Sequence, residues 1–252
     1  MLNAILLDLD NTLVLFDELK YYNIYFEKLS RHFADDFAPD ELKERVVNGT
    51  MALRHNNGEK SNRQCFMGVF AKGCEAESDV LWERFMAFYR KAYDDIKLAV
   101  AVPEGLHQVM GRLRQTGLKL VIASNPIFPV IAQKKRLQWG NLEPAWFDLF
   151  TNIENMRYVK PTIDYYVQTC QMVGEAPEAC LMVGNDPVND MAAARAGLMT
   201  YRTTDAEVVD YASLTLTDEQ RSKSPRDIPE PDHTGPFSGV ADVVERLMNK
   251  DV

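Results

Sequence analysis

Two carboxylates follow the first apolar run of the chain. The segment "AILLDLDNTLV" covers residues 4–14 and places Asp8 and Asp10 on either side of Leu9. Side chains two residues apart on a strand share a face, so both carboxylates would project together. Like charges at that spacing repel unless a cation or a shared proton neutralises them. The pair therefore predicts a bound cation, a shared proton or both.

Polar side chains also follow three later apolar runs. Ser124 and Asn125 follow the run in "VIASNP", Lys160 lies in "YVKP", and "VGNDPVND" contains Asp186 and Asp190. In an open parallel α/β sheet, ligands bind at the carboxyl ends of the strands, near the point where the strand order reverses. Four acids, a hydroxyl and a lysine at one such edge suit Mg²⁺ together with phosphate oxygens.

Strand-like and helical patterns alternate through most of the chain. Short apolar runs typical of buried strands begin at Asn3, Leu118, Phe147, Cys180 and Leu198. Apolar residues at helical spacing predict helices over 103–117, 130–139, 163–173, 187–196 and 240–249. This alternation predicts an α/β fold, a doubly wound parallel sheet covered on both faces.

Residues 17–100 interrupt that alternation with apolar and aromatic residues at helical spacing throughout. We therefore expect an inserted all-helical domain over 17–100 and an α/β core domain formed by 1–16 and 101–252. The proline-rich stretch 217–238 predicts a long irregular loop.

The bulk composition restricts the class of partner. Of 252 residues, 46% are hydrophobic and 26% charged, which is ordinary for a globular protein. The formal net charge of -9 argues against nucleic acid and anionic membranes as partners. A phosphorylated substrate would then need local positive charge. We hypothesise that Arg221, Lys223 or Arg226 supplies part of it; the alternative is an ordinary solvated connection.

The four cysteines have neither a C-x-x-C pair nor metal-ligand spacing, which predicts reduced thiols. The first apolar run is too short for a signal peptide or a membrane span. Together these features predict a cytoplasmic protein.

Taken in order, the motifs resemble those of the haloacid dehalogenase-like hydrolases, over residues 3 to about 200. "DLDNTLV" is similar to the family's motif I, "ASN" to motif II, "KP" to motif III and "GNDPVND" to motif IV. "WFDLF" resembles the segment between motifs II and III, and the helical insertion resembles a C1-type cap. Each motif alone is common; four in order are specific.

The resemblance implies a catalytic role for each matched residue. Asp8 would be the nucleophile that forms an aspartyl-phosphate. Asp10 would protonate the leaving alcohol and later take a proton from water. Ser124, beside Asn125 in motif II, would donate a hydrogen bond to the phosphoryl group. Lys160 would offset its charge.

The resemblance also implies a Mg²⁺ site formed by Asp186, Asp190, Asp8 and the backbone carbonyl of Asp10. In the family the first acid of motif IV often follows the glycine directly, where this chain has Asn185. Either Asp186 is that ligand at a shorter spacing, which we favour, or the first ligand is neutral.

We expect a Mg²⁺-dependent phosphatase that acts on a small phosphorylated metabolite. A phosphosugar mutase or other phosphotransferase of the same family remains the alternative. A dehalogenase is disfavoured because Asp10 supplies the proton transfer that phosphate-ester cleavage needs. A phospho-acceptor signalling module is disfavoured by the large helical insertion. Arg54, Lys60 and Arg63 of the insertion are candidate substrate contacts; the alternative is a solvated loop.

Overall fold

The computed structural model describes residues 1–97, 100–206 and 228–249, which contain a six-stranded sheet. Its strands are β1 (Ala4–Leu7), β2 (Lys119–Ile122), β3 (Leu149–Phe150), β4 (Cys180–Gly184), β5 (Met199–Thr203) and β6 (His233–Gly235). They lie in the order β3-β2-β1-β4-β5-β6, and neighbouring strands pair in parallel. The predicted parallel sheet is confirmed.

The described α-helices flank this sheet or lie between β1 and β2 in the chain. They are α1 (Glu18–His32), α2 (Pro39–Leu53), α3 (Asn62–Phe70), α4 (Ser78–Lys91), α5 (Leu106–Gln115), α6 (Val130–Trp139), α7 (Ile163–Val173) and α8 (Val240–Asn249). The predicted helices at 130–139, 163–173 and 240–249 have the expected bounds. Within the described residues, no helix combines the length and the apolar character that crossing a bilayer requires.

Helices cover both faces of the sheet, as the doubly wound prediction requires. Ile5 and Leu7 of β1 pack with α5 and α8 in one buried cluster. The alternate residues Ala4 and Leu6 pack with α7 in another. Because both faces are buried, the strands read as continuous apolar runs.

The helical insertion, α1–α4, has an aromatic core. Phe33 and Phe70 each lie 4.8 Å, centroid to centroid, from Phe85. Leu15 and Ala101 exchange backbone hydrogen bonds of 2.8 and 2.9 Å where the chain enters and leaves the insertion. The helical prediction for this region is confirmed, whereas the domain boundaries 1–16, 17–100 and 101–252 stay predictions.

Two element predictions are wrong in part. The helix predicted over 187–196 is a 3₁₀ helix limited to Met191–Ala196. The reason is that the Asp186 carboxylate accepts the backbone N–H groups of Val188 and Asn189, which favours a turn over an α-helix.

The predicted irregular loop 217–238 contains β6. Asp232 accepts hydrogen bonds from Thr200 N at 2.8 Å and Thr200 Oγ1 at 3.0 Å, which brings this segment beside β5. Such a long-range anchor has no local sequence pattern. Arg221, Lys223 and Arg226 lie outside the described residues.

Candidate active site

The candidate site lies at the carboxyl edge of the sheet, on either side of β1. Strand order reverses there, because β2 lies on one side of β1 and β4 on the other. The N–H of Asp8 donates to Val183 O at 2.9 Å, and the N–H of Ala123 donates to Leu7 O at 2.8 Å. These ladder bonds bring the residues that follow the three strands to one edge.

A cavity of about 230 Å³ opens at this edge. It is lined by the seven residues that the motifs indicated as catalytic or metal-binding, namely Asp8, Asp10, Ser124, Asn125, Lys160, Asp186 and Asp190. The structure thus brings together residues up to 182 positions apart (190 − 8). The catalytic and metal-binding roles of these residues stay predictions.

A tight turn positions Asp10, which corrects the expectation that a strand does so. Strand β1 ends at Leu7, so Asp8 and Asp10 both lie beyond it. Asn11 has a φ of 58°, a left-handed conformation that asparagine tolerates better than most residues, and its N–H donates to Val14 O at 2.7 Å. The two carboxylates share a cavity because of this turn.

Lys160 bridges two of the acids. Its ammonium donates to Asp8 Oδ1 at 2.8 Å and to Asp190 Oδ1 at 2.6 Å. The side chains of Lys160 and Asp190 are each 1% exposed, and that of Asp8 is 12% exposed. Burial alone would lower the pKa of Lys160, but the two carboxylates outweigh it and hold that pKa well above its ordinary value.

The bridge does not fully compensate the acids. Burial raises the pKa of Asp8 to about 8, although Lys160 acts in the opposite direction. Burial also raises the pKa of Asp190. One ammonium is therefore not enough to neutralise both buried carboxylates, and a second cation would favour their ionised forms.

The two candidates for the first ligand of motif IV are adjacent in the cavity wall. Asn185 Oδ1 accepts from Thr12 Oγ1 at 3.3 Å. The Asp186 carboxylate accepts from Val188 N at 2.8 Å and from Asn189 N at 2.9 Å, within its own loop. Both residues line the cavity, and the preference for Asp186 stays a prediction.

The donor chemistry fits Mg²⁺, which proteins usually hold through one or two carboxylates while it keeps waters and substrate phosphate oxygens. Asp8 and Asp190 provide two buried carboxylates that lack sufficient positive charge. Across the part of the chain that the structure describes, no group of three or more His, Cys, Asp or Glu side chains is arranged as a metal site. A Mg²⁺ ion here would have these two carboxylates and that of Asp186, which lines the same cavity, as candidate ligands.

Two side-chain hydrogen bonds fix the turn after β2. Thr151 Oγ1 and Tyr165 OH donate to the backbone carbonyl of Ser124, at 2.8 and 3.0 Å. The side chain of Asn125 lines the cavity, and its buried Oδ1 accepts no hydrogen bond from the described residues. A bound ligand that donates a hydrogen bond would relieve the cost of that unpaired oxygen.

The insertion contributes one cation to the cavity wall. Of the three cations that the sequence nominated, Arg54 lines the cavity, at the carboxyl end of α2. Lys60 does not line it, and Arg63 instead lies over the Trp82 ring, at 4.6 Å, and donates to Asp79. Arg54 is exposed, and no ion pair of its side chain is found among the described residues.

Arg136 is a residue of this region that the sequence reasoning missed. It lies on α6, fully buried, and its Nη1 donates to Asp10 Oδ2. The available signal was its position, because Ala132, Gln133, Arg136 and Leu137 follow the i, i+1, i+4, i+5 spacing of one buried helix face. A cation on such a face requires an acidic partner.

The model of the haloacid dehalogenase-like hydrolases matches residues 2–197, well over half of the chain. This protein belongs to the haloacid dehalogenase-like hydrolase family. Membership confirms the resemblance read from the four motifs.

Two relatives within the family carry a more specific name. A protein of Aquifex aeolicus named phosphoglycolate phosphatase is 28% identical over 200 residues, which cover 79% of this chain and 83% of that protein. A phosphoglycolate phosphatase of Chromobacterium violaceum is 29% identical over 203 residues, with 77% and 81% covered.

Solved structures of family members share the fold. A HAD phosphatase from Thermococcus onnurineus matches with a TM-score of 0.53 at 18% identity, covering 96% of this chain and 98% of that one. The L-2-haloacid dehalogenase of Xanthobacter autotrophicus matches with a TM-score of 0.56 at 16% identity, covering 98% and 99%. Since both activities occur on this fold, the fold alone does not choose between them.

Proposed function

We propose that this protein is a Mg²⁺-dependent phosphatase that hydrolyses a small phosphate monoester through an aspartyl-phosphate intermediate. The observation that carries the proposal is that Asp8, Asp10 and Lys160 line one cavity, with Lys160 bonded to Asp8. A second carboxylate two residues after the nucleophile provides the proton transfer that an alcohol leaving group needs. The names of the two relatives support a phosphate ester as the substrate.

In the first step, a carboxylate oxygen of Asp8 attacks phosphorus and the bond from phosphorus to the leaving oxygen breaks. Asp10 gives its proton to that oxygen, which leaves as the alcohol. Lys160 offsets negative charge on Asp8 and on the transferring group. Ser124 donates a hydrogen bond to a phosphoryl oxygen.

In the second step, Asp10 is a carboxylate and takes a proton from water as the water oxygen attacks phosphorus. The bond between phosphorus and Asp8 breaks, which releases inorganic phosphate and restores both carboxyl groups. Asp8, Asp190, Asp186 and the backbone carbonyl of Asp10 would hold Mg²⁺. When bound, Mg²⁺ supplies positive charge to the phosphoryl oxygens.

The cavity favours a substrate with a second anionic group. Arg54 faces it from the insertion, whereas Lys160 is already bonded to two carboxylates. A guanidinium can bind a carboxylate through two parallel hydrogen bonds. We therefore propose a phosphorylated small carboxylic acid, with 2-phosphoglycolate as the first compound to test.

The test is phosphate release from a panel of phosphorylated metabolites with Mg²⁺, for the wild-type protein and for Arg54→Ala. We expect Arg54→Ala to reduce kcat/KM for 2-phosphoglycolate by about 10-fold to 100-fold, the usual value of a hydrogen bond to a charged group. Ethyl phosphate, which lacks the second anion, should be affected little. Lys60→Ala is the matched control, because Lys60 lies on the insertion but outside the cavity wall.

Equal losses with both substrates would contradict the role of Arg54 and leave the phosphatase proposal in place. If no phosphomonoester in the panel is hydrolysed, the phosphatase proposal itself is wrong.

A further inference from the structure

Arg136 is a buried cation beneath the proposed acid and base. Its side chain is 0% exposed, and that of Asp10 is 29% exposed. Nη1 donates to Asp10 Oδ2, whereas Nε and Nη2 have no hydrogen-bond partner among the described residues. A guanidinium so deeply buried is costly to the fold, even with one carboxylate partner.

The Phe128 ring packs against this guanidinium. The Phe128 ring lies 4.4 Å from it, centroid to Cζ, and the same ring contacts Tyr25 and Tyr89 of the insertion at 5.9 and 6.5 Å. The Arg136 side chain therefore lies where α6 packs against the insertion, and it has little freedom to change its rotamer.

The two oxygens of Asp10 have different environments. Oδ2 accepts from Arg136, while Oδ1 is buried and accepts no hydrogen bond from the part of the chain that the structure describes. Asp10 lies beyond the end of β1, in a turn where an isolated bridge to Val14 pairs its backbone, and Arg136 is the residue that bonds to its side chain. The guanidinium thus fixes one end of a carboxyl group that belongs to the cavity wall.

We propose that Arg136 is a positioning residue, which holds Asp10 through Oδ2 and so keeps its carboxyl group in place for the leaving oxygen in the first step and for water in the second. The proposal rests on the proposed function, in which Asp10 transfers both protons. Arg136 itself lines no part of the cavity, so it acts through Asp10 and not on the substrate.

The test compares Arg136→Met and Arg136→Lys on two substrates that differ in leaving group. The probes are 2-phosphoglycolate, or the best alkyl phosphate from the panel, and p-nitrophenyl phosphate. We expect Arg136→Met to reduce kcat for the alkyl phosphate by about 10²-fold with KM unchanged, since misplacement of a catalytic group by about 1 Å costs that much.

The initial burst of p-nitrophenol, measured by rapid quench, should remain near the wild-type rate, because that leaving group needs little protonation. Arg136→Lys keeps the charge without the planar fork, so it should recover part of the lost kcat. If Arg136→Met does not fold, the same leaving-group comparison is made on Arg136→Lys.

The Asp10→Asn variant and the double variant separate positioning from a structural defect. Once Asp10 is replaced, Arg136→Met should reduce kcat no further. Additive losses in the double variant, or equal losses in the first step with both substrates, would overturn the proposal. If Asp10→Asn alone retains full kcat for the alkyl phosphate, the acid-base assignment of the proposed function fails instead.

Discussion

Asp10→Asn should destabilise this protein more than Arg136→Met, although the two residues form one ion pair. The asparagine leaves a guanidinium that is 0% exposed without a carboxylate. The methionine removes the buried charge together with the two nitrogens, Nε and Nη2, that have no hydrogen-bond partner among the described residues. The Asp10 carboxylate that remains is 29% exposed and can be hydrated. The two variants differ in stability because the Arg136 guanidinium is more deeply buried than the Asp10 carboxylate.

The expected magnitude comes from the geometry of the pair. Removing one partner of a buried pair costs about 3–5 kcal/mol, and the partial exposure of Asp10 favours the lower end, about 3 kcal/mol. For a chain of this size each kcal/mol lowers Tm by roughly 2–4 °C, so Asp10→Asn should lose roughly 6–12 °C. Arg136→Met loses the contact with Phe128, worth about 1–2 kcal/mol.

The assay is thermal melting, followed by circular dichroism at pH 7, of the wild type, both single variants and the double variant. The double variant should melt above Asp10→Asn, because the second substitution removes the unpaired buried cation. A melting temperature for Asp10→Asn within about 2 °C of the wild type would refute the reasoning. A double variant less stable than Asp10→Asn would refute it as well.

Three further outcomes are expected. Asp8→Asn should abolish phosphate release without lowering Tm. Burial makes the pKa of Asp8 higher in the folded than in the unfolded chain, so ionisation of Asp8 costs stability at pH 7; a large drop in Tm would contradict this. Dialysis against a chelator should remove activity, and Mg²⁺ should restore it whereas Ca²⁺ should not, because Ca²⁺ prefers more ligands and looser geometry. Full activity in the chelator would exclude a metal from the mechanism. Gly184→Ala would place a Cβ 2.1 Å from Asp190 Oδ2, so it should displace Asp190 from Lys160 and reduce kcat by at least about 10²-fold. Wild-type activity in this variant would contradict the geometry of the bridge.

Much of the fold could be predicted because it depends on local patterns. Helices α6, α7 and α8 have the bounds that their apolar spacing predicted, and β1, β2, β4 and β5 lie in the apolar runs. Strand β6 could not be predicted, since its pairing with β5 and the bond of Asp232 to Thr200 join residues about 32 positions apart. Likewise, the 3₁₀ helix at Met191–Ala196 replaces a longer helix because of side-chain bonds in the preceding turn.

Some residues of the candidate site could likewise be predicted from the sequence, and others could not. Asp8, Ser124 and Asp186 could be nominated from the sequence because each follows an apolar run, and the carboxyl ends of parallel strands meet at one edge. The choice among the cations of the insertion could not be made from the sequence, since it depends on the carboxyl end of α2 lying at the cavity, which places Arg54 in the wall and leaves Lys60 outside it.

By itself, the sequence determined the alternation of strands and helices, the acids at the strand ends and, through its motifs, the family. The tertiary structure decided how the charges are paired. Lys160 meets Asp8 across 152 positions, and Arg136 meets Asp10 across 126. Periodicity records which face of a helix or strand is buried, because that depends on neighbours three, four or two residues away. It carries no information on which buried cation faces which carboxylate, because those partners are brought together by the packing of distant elements.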